Sequence, residues 1–310
     1  MMNCNHMIYH YAVAGLPFAV SLPVDLRPDI LLPSFRDFRI GAGSGCGGES
    51  PCGTPVFTLR TADLRDRDTS GDTLLESSSD EMGKTELYAA ADGYLVLLRP
   101  LPGAPSYMMC ASRDFTSACI GLGPVRAGMD SGYTGPALTS MLRILYSQSV
   151  LMHGAVSIRA SAVVLEGRSY LFTGRSGAGK STHSRLWLGT FPGAALLNDD
   201  NPVIRIVHGQ VMAYGTPWSG KTPCYRNTGM PVGGIVRIVQ ARENTFTPLC
   251  DVDAFTSLLP GCSLIRHDPV LLDALCGTLV EVSTSVPVGI LGCKADSSAA
   301  MCCREALSSY

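Results

Sequence analysis

Short apolar runs broken by turn residues dominate the second half of the chain. "AVSIR" (155–159), "SAVVLEG" (161–167) and "SYLFTG" (169–174) are three strand candidates in succession. Between the last two, Gly167 and Arg168 leave room for a tight turn only, too short for a crossover helix. The segments 161–165 and 169–173 are therefore predicted to pair as an antiparallel hairpin. Further strands are predicted at "AALLN" (194–198), "VIRIVHG" (203–209) and "VMAYGTP" (211–217), the last two joined by a turn at His208-Gly209, and then at "GGIVRIVQ" (233–240) and "VPVGILGC" (286–293). Helical spacing marks "DVDAFTSLLP" (251–260), "PVLLDALCGTLV" (269–280) and the closing "SSAAMCCREALSSY" (297–310).

The first 130 residues are more irregular. Apolar runs such as "YAVAGLPFAV" (11–20) and "GYLVLL" (93–98) read as strands. The segments Gly41 to Pro55 and Asp66 to Lys84 lack apolar periodicity and are expected to be loops. The first is glycine-rich, but it has no lysine and no helix pattern after it, which argues against a phosphate loop. Between Gly135 and Gly154, Leu138, Met141, Leu142, Leu145 and Tyr146 recur at helical spacing. This helix is expected at the junction of two domains: a β-rich N-terminal domain of residues 1–130 and a larger domain of residues 131–310, in which strands and helices mix.

Composition limits what these domains do. A formal net charge of -2 and a pI near 6.3 give no chain-wide attraction to nucleic acid or to an anionic membrane surface, so any anion site is built locally. The 24 basic residues include just four lysines, Lys84, Lys180, Lys221 and Lys294. Twelve cysteines are scattered without a CxxC pair or a Cys/His zinc spacing, and they read as free thiols of a reducing compartment. The N-terminal residues do not follow the signal-peptide pattern, and no run approaches the roughly 18 apolar residues of a membrane helix. A cytoplasmic location is the resulting expectation.

The sharpest local signal follows the predicted hairpin. Gly174, Arg175, Ser176, Gly177, Ala178, Gly179, Lys180 and Ser181 fit GxxxxGK[ST] in full, with a strand before and a helix pattern after. Glycines let the backbone turn its N–H groups onto phosphate oxygens, Lys180 reaches the outer phosphates, and the Ser181 hydroxyl suits Mg²⁺. Phe191-Pro192-Gly193 stops the helix early. A return strand then ends in Asp199 and Asp200, 18 residues beyond Ser181. One acid of such a pair serves the metal and the other accepts a proton from an attacking hydroxyl. A water-activating ATPase uses the same pair, and the spacing does not separate the two.

His153-Gly154, the hairpin, "GRSGAGKST" (174–182) and "LLNDD" (196–200) together resemble the HPr kinase/phosphorylase family, most of all the small HPr-kinase-like bacterial serine kinases. The resemblance covers about residues 151–206, weakens through the C-terminal strands and does not extend to the first 130 residues. It implies an α/β fold with a mixed β-sheet P-loop kinase domain of the type shared with phosphoenolpyruvate carboxykinase. By the same resemblance, Gly174 to Thr182 hold ATP, Asp199 is the base toward the acceptor, Asp200 a metal-side acid, and His153 a neighbour of the active site. "YGTPWSGKTPCYR" (214–226) offers Trp218, Lys221 and Arg226 for nucleotide or acceptor; the same residues also fit a reading in which Trp218 covers core and Lys221 is solvated. The segment associated with phosphorolysis in the family has no counterpart here.

The expected function is transfer of the ATP γ-phosphoryl group, with Mg²⁺, to a hydroxyl of a peptide or protein serine. A small-metabolite kinase and a nucleotide-sensing module without transfer are the rivals. The acceptor and the oligomeric state are not written in the sequence.

Overall fold

A computed structural model describes residues 6–41, 53–64, 67–80, 83–100, 106–122 and 132–309. Most of the glycine-rich segment from Gly41 to Pro55 lies outside these residues. The chain divides into two compact units, Met1–Ser149 and Val150–Tyr310.

In the first unit nine strands form one sheet: β1 (His6–Val13), β2 (Leu16–Pro23), β3 (Arg39–Ile40), β4 (Thr58–Thr61), β5 (Thr73–Asp80), β6 (Gly83–Ala90), β7 (Gly93–Arg99), β8 (Tyr107–Ser112) and β9 (Ser117–Gly121). Their order is β3-β1-β2-β4-β9-β8-β7-β6-β5. The contacts β2–β4 and β4–β9 are parallel and the rest antiparallel. Stacked Phe18 and Phe57, 4.8 Å apart, lie in its core. The strand β5 corrects the loop expected between Asp66 and Lys84. Its polar run "ESSS" (76–79) is exposed, so the strand is set by its pairing with β6 at the sheet edge.

The helix α2 (Thr134–Ser149) also belongs to this unit. Its stripe of Leu138, Met141, Leu142, Leu145 and Tyr146 is fully buried. The Tyr146 hydroxyl donates to the Val13 carbonyl at 2.9 Å, and Ser149 Oγ donates to the Phe115 carbonyl at 2.8 Å. The division of the chain thus falls at Ser149/Val150 and not near residue 130, because the helix buries its apolar face on the N-terminal strands. A four-residue helix, α1 (Pro28–Leu31), precedes it in the chain.

The second unit is a mixed α/β arrangement. Its elements are β10 (Ala155–Ser157), β11 (Ala160–Leu165), β12 (Arg168–Thr173), α3 (Lys180–Thr190), β13 (Ala195–Asp200), β14 (Val203–Val207), β15 (Gln210–Tyr214), β16 (Gly229–Gln240), β17 (Thr245–Leu249), α4 (Asp251–Leu258), α5 (Pro269–Ser285), β18 (Val288–Cys293) and α6 (Ser297–Ser308). The strands run β10-β14-β15-β16-β12-β11-β13, with β18 beside β16 and β17 beside β18. The pairs β12–β16 and β16–β18 are parallel; β11–β12 is the antiparallel hairpin read from the sequence. The hairpin turn lies at Glu166-Gly167, one residue before the expected position, because both residues take positive φ (51° and 73°) as a two-residue hairpin turn requires. On one side of the sheet α3 and α6 bury Trp187, Ala299, Ala300, Cys303 and Leu307 against Tyr170, Phe172, Val236 and Ile238.

Register places the chemistry. Ala160 on β11 stands opposite Thr173, the last residue of β12, and opposite Asp200 on β13. Thr173, Ala160 and Asp200 therefore form one row across three neighbouring strands. The phosphate-loop candidate and the acid pair therefore lie at the same end of these strands.

Candidate functional site

The loop from Gly174 to Gly179 links β12 to α3, and its glycines 174, 177 and 179 have φ of 138°, 77° and 106°. Side chains other than glycine are strained in that region, so the sequence pattern is a backbone requirement. Inside the loop the Ala178 amide donates to the Arg175 carbonyl at 3.1 Å, and Gln240 Nε2 on β16 donates to the Gly177 carbonyl at 3.2 Å. Gly179 is the N-cap of α3 and supplies no side-chain cap, so no side chain competes for the first-turn amides that favour an anion. Lys180 folds over the loop, donating to the carbonyls of Gly174 (3.1 Å) and Arg175 (3.2 Å). Burial pushes its pKa down and Arg159 adds to this, while Asp200 and Asp199 pull it up.

Ser181 Oγ donates to Asp199 Oδ1 at 2.8 Å. The carboxylate of Asp199 is buried, and the Thr222 amide approaches its other oxygen at 3.4 Å. Asp200 is more open, with 23 % of its side chain exposed. Its φ of 128° is unusual for a residue with a side chain and marks local strain, which in general costs about 1–3 kcal/mol. It is held by Asn201 Nδ2 at 2.7 Å and by Arg159 Nη2 at 3.6 Å.

The segment after β15 is sewn to these acids. Asn198 is fully buried, and its amide donates to Thr216 Oγ1 (3.2 Å) and to the carbonyls of Thr216 (3.3 Å) and Trp218 (3.0 Å). The Asn201 amide donates back to Asn198 Oδ1 at 2.9 Å. The Gly220 amide bonds the Asp199 carbonyl, and a Cβ on Gly220 would stand 2.9 Å from that oxygen and 3.1 Å from Asp200 Cβ. Trp218 is buried, 5 % exposed, so it covers core and is not an exposed recognition residue. Lys221 is exposed, between two residues whose amides bond Asp199.

His153 ends a short 3-10 turn and is exposed. Its pKa is lowered, by burial first and then by Arg205 on β14. None of the described interactions joins it to the loop or the acids. A second histidine escaped the sequence reading: His183 on α3 is 2 % exposed, and its Nε2 accepts from Trp187 Nε1 at 3.0 Å. Burial lowers its pKa to about 4. Arg159, Asn198 and Thr216 were missed as well. The available signals were weak: a lone arginine at a strand end, and polar residues in otherwise apolar runs.

Hard oxygen donors at Ser181 and Asp199 suit Mg²⁺, which takes few protein ligands and completes its shell with phosphate and water. Among the described residues no group of three or more His, Cys, Asp and Glu side chains could form an all-protein metal cage. The nine described cysteines are free, and of these Cys262, Cys293 and Cys303 are buried.

No family model matches the chain, and no curated protein matches it by sequence. By structure it is similar to the HPr(Ser) kinase/phosphatase from Coxiella burnetii, with 12% identity and a TM-score of 0.32 over 49% of this chain and 97% of that one. No helix among the described residues is long and apolar enough to cross a membrane.

Proposed function

We propose that the second unit is an ATP- and Mg²⁺-dependent phosphotransferase acting on a hydroxyl, with serine of a peptide or protein as the acceptor class. The observation that carries this reading is the 2.8 Å hydrogen bond from Ser181 to Asp199. It joins the start of the loop's helix to an acid 18 residues away, as a phosphate loop and its metal acid must be joined.

The resemblance made Asp199 the base and Asp200 the metal-side acid; the geometry supports the reverse division. Asp199, buried and bonded to Ser181, is suited to hold Mg²⁺ with it. Bound there, the ion neutralises charge on the phosphates. Asp200, more open and at the rim, is suited to take the proton of the incoming hydroxyl. Lys180 exchanges the carbonyls of Gly174 and Arg175 for the outer phosphates, and the amides around Gly179 hold the rest. Catalysis is then positioning and charge neutralisation.

The test is purified full-length protein with γ-labelled ATP and Mg²⁺, offered peptide pools and metabolite pools in parallel. Labelled peptide is expected, and Asp200→Asn is expected to cut transfer by about 10²–10⁴-fold while ATP still binds. Label in the metabolite pool alone would move the acceptor class. Tight ATP binding with no labelled acceptor would leave a nucleotide-sensing module in place of the kinase.

A further inference from the structure

One cation beside the phosphate loop belongs to no motif. Arg159 sits in the short link between β10 and β11, one residue before Ala160, whose row across the sheet ends β12 at Thr173 and includes Asp200. Its backbone is fixed from two sides. Its own amide donates to the Gly261 carbonyl at 2.8 Å, the Ile158 amide to the Pro202 carbonyl at 3.1 Å, and the Ser263 amide to the Ser157 carbonyl at 3.0 Å. A rigid base thus carries a side chain that is 63 % exposed, with its Nη2 3.6 Å from Asp200 Oδ1.

Arg159 pairs with Asp200, and its charge is felt at Lys180, where after burial it is the next cause that lowers the lysine's pKa, against Asp200 and Asp199, which raise it. Two cations brought together at the rim of an anion-binding loop repel until an anion enters between them. The ion pair with Asp200 is exposed and weak, so a more highly charged partner displaces it at little cost. A planar guanidinium with five donors matches the oxygens of a phosphoryl group.

From this placement we infer that Arg159 is the ligand of the terminal phosphate of a nucleoside triphosphate. Its guanidinium leaves Asp200 for the γ-phosphoryl oxygens, on which Lys180 also converges, while the loop amides hold the inner phosphates. The inference shares with the proposed function the assumption that the loop takes a nucleotide, and it adds a coupling. Arrival of the γ-phosphate withdraws Arg159 from Asp200 and frees that carboxylate. In the transfer step the acceptor oxygen bonds phosphorus as the bridging bond to the β-phosphate breaks. The hydroxyl proton goes to Asp200, and the electron pair leaves on the diphosphate.

The experiment compares wild type, Arg159→Gln and Arg159→Lys as full-length proteins with Mg²⁺, by calorimetric binding of ATP, of ADP, and of ADP with aluminium fluoride. For Arg159→Gln, ATP affinity is expected to fall by about tenfold or more and ADP affinity to stay within about twofold, with the extra affinity conferred by aluminium fluoride lost; lysine restores part of it. Where transfer is observed, its single-turnover rate falls by about 10³-fold in the glutamine variant. Equal losses for ATP and ADP, or no loss for either, would overturn the inference. Selective loss of ATP affinity in a protein that labels no acceptor would uphold Arg159 and sink the kinase reading. A wild type that binds no nucleotide sinks both.

Discussion

Single residues in the second unit show how burial tunes chemistry. His183 follows the phosphate-loop motif by one residue after Thr182, yet it faces inward, stacked edge-on against Phe172 with ring centroids 4.6 Å apart. It accepts the Trp187 indole N–H, which requires a neutral imidazole with Nε2 unprotonated, and its Nδ1 is buried without a hydrogen-bond partner among the described residues. Charging this ring strands a cation in the core. Its pKa is about 4 in the folded state against about 6.5 when unfolded, so the unfolded chain binds the proton more tightly. The stability this neutral ring contributes is complete above about pH 6.5 and is lost as pH falls through that value toward 4, by an amount on the order of 3 kcal/mol. Urea midpoints followed by tryptophan fluorescence between pH 7 and pH 4.5 are expected to drop steeply in wild type and less steeply in His183→Gln. Parallel profiles would assign the acid lability to other groups.

Among the elements, the segment from Gly215 to Cys224 is tied to the acid-bearing strand by the buried Asn198 and by bonds from Ser219, Gly220 and Thr222 to Asp199. Asn198 makes its donor bonds to Thr216 and Trp218 from the strand that carries Asp199 and Asp200. Removing this amide takes the donor from the Thr216 carbonyl and the acceptor from the Asn201 backbone amide, at about 1–3 kcal/mol for each unsatisfied group. Asn198→Ala is therefore expected to destabilise the second unit by a few kcal/mol and, because the Thr222 and Gly220 amides lose their fixed position over Asp199, to lower phosphoryl transfer more than ATP binding. Thermal unfolding and a comparison of kcat with the ATP affinity check both parts. Unchanged kcat in a folded variant would show that the segment does not position the acids. Strand β5 teaches the opposite lesson at the same scale: a polar segment is ordered by its neighbour β6, and nothing in its own pattern announces it.

For the whole molecule, each unit has its own core, with aromatic residues clustered around Phe18 in the first and around Trp187 in the second. Both tryptophans of the chain, Trp187 and Trp218, are buried in the second unit. Tryptophan fluorescence thus reports the second unit, and far-ultraviolet dichroism reports both. A ligand that binds the folded second unit at 100 times its dissociation constant adds about 2.7 kcal/mol to that unit alone. Saturating Mg-ATP is expected to raise the fluorescence transition and to leave a separate dichroism transition where it was. A single transition that shifts as one would show that the units unfold together.

The sequence by itself determined the strand and helix order of the second unit except for β17, which pairs with β18 and has no apolar run of its own, together with the hairpin at 161–173 and the loop from Gly174 to Ser181. Local physics suffices there: apolar runs, turn glycines and a motif whose spacing is a backbone demand. It also brought Asp199 and Asp200 into question, because an apolar strand ended on them. Tertiary structure alone decided which acid meets Ser181, that Trp218 is covered, and that Asn198 fastens the neighbouring segment. It likewise decided that the helix from Thr134 belongs with the N-terminal strands. Arg159 is the clearest case. In the chain it lies 21 positions before Lys180 and 41 before Asp200, and only the pairing of β11 with both β12 and β13 brings the three together. Strand register is a long-range property, set by which strands pair, and no local pattern of residues carries it.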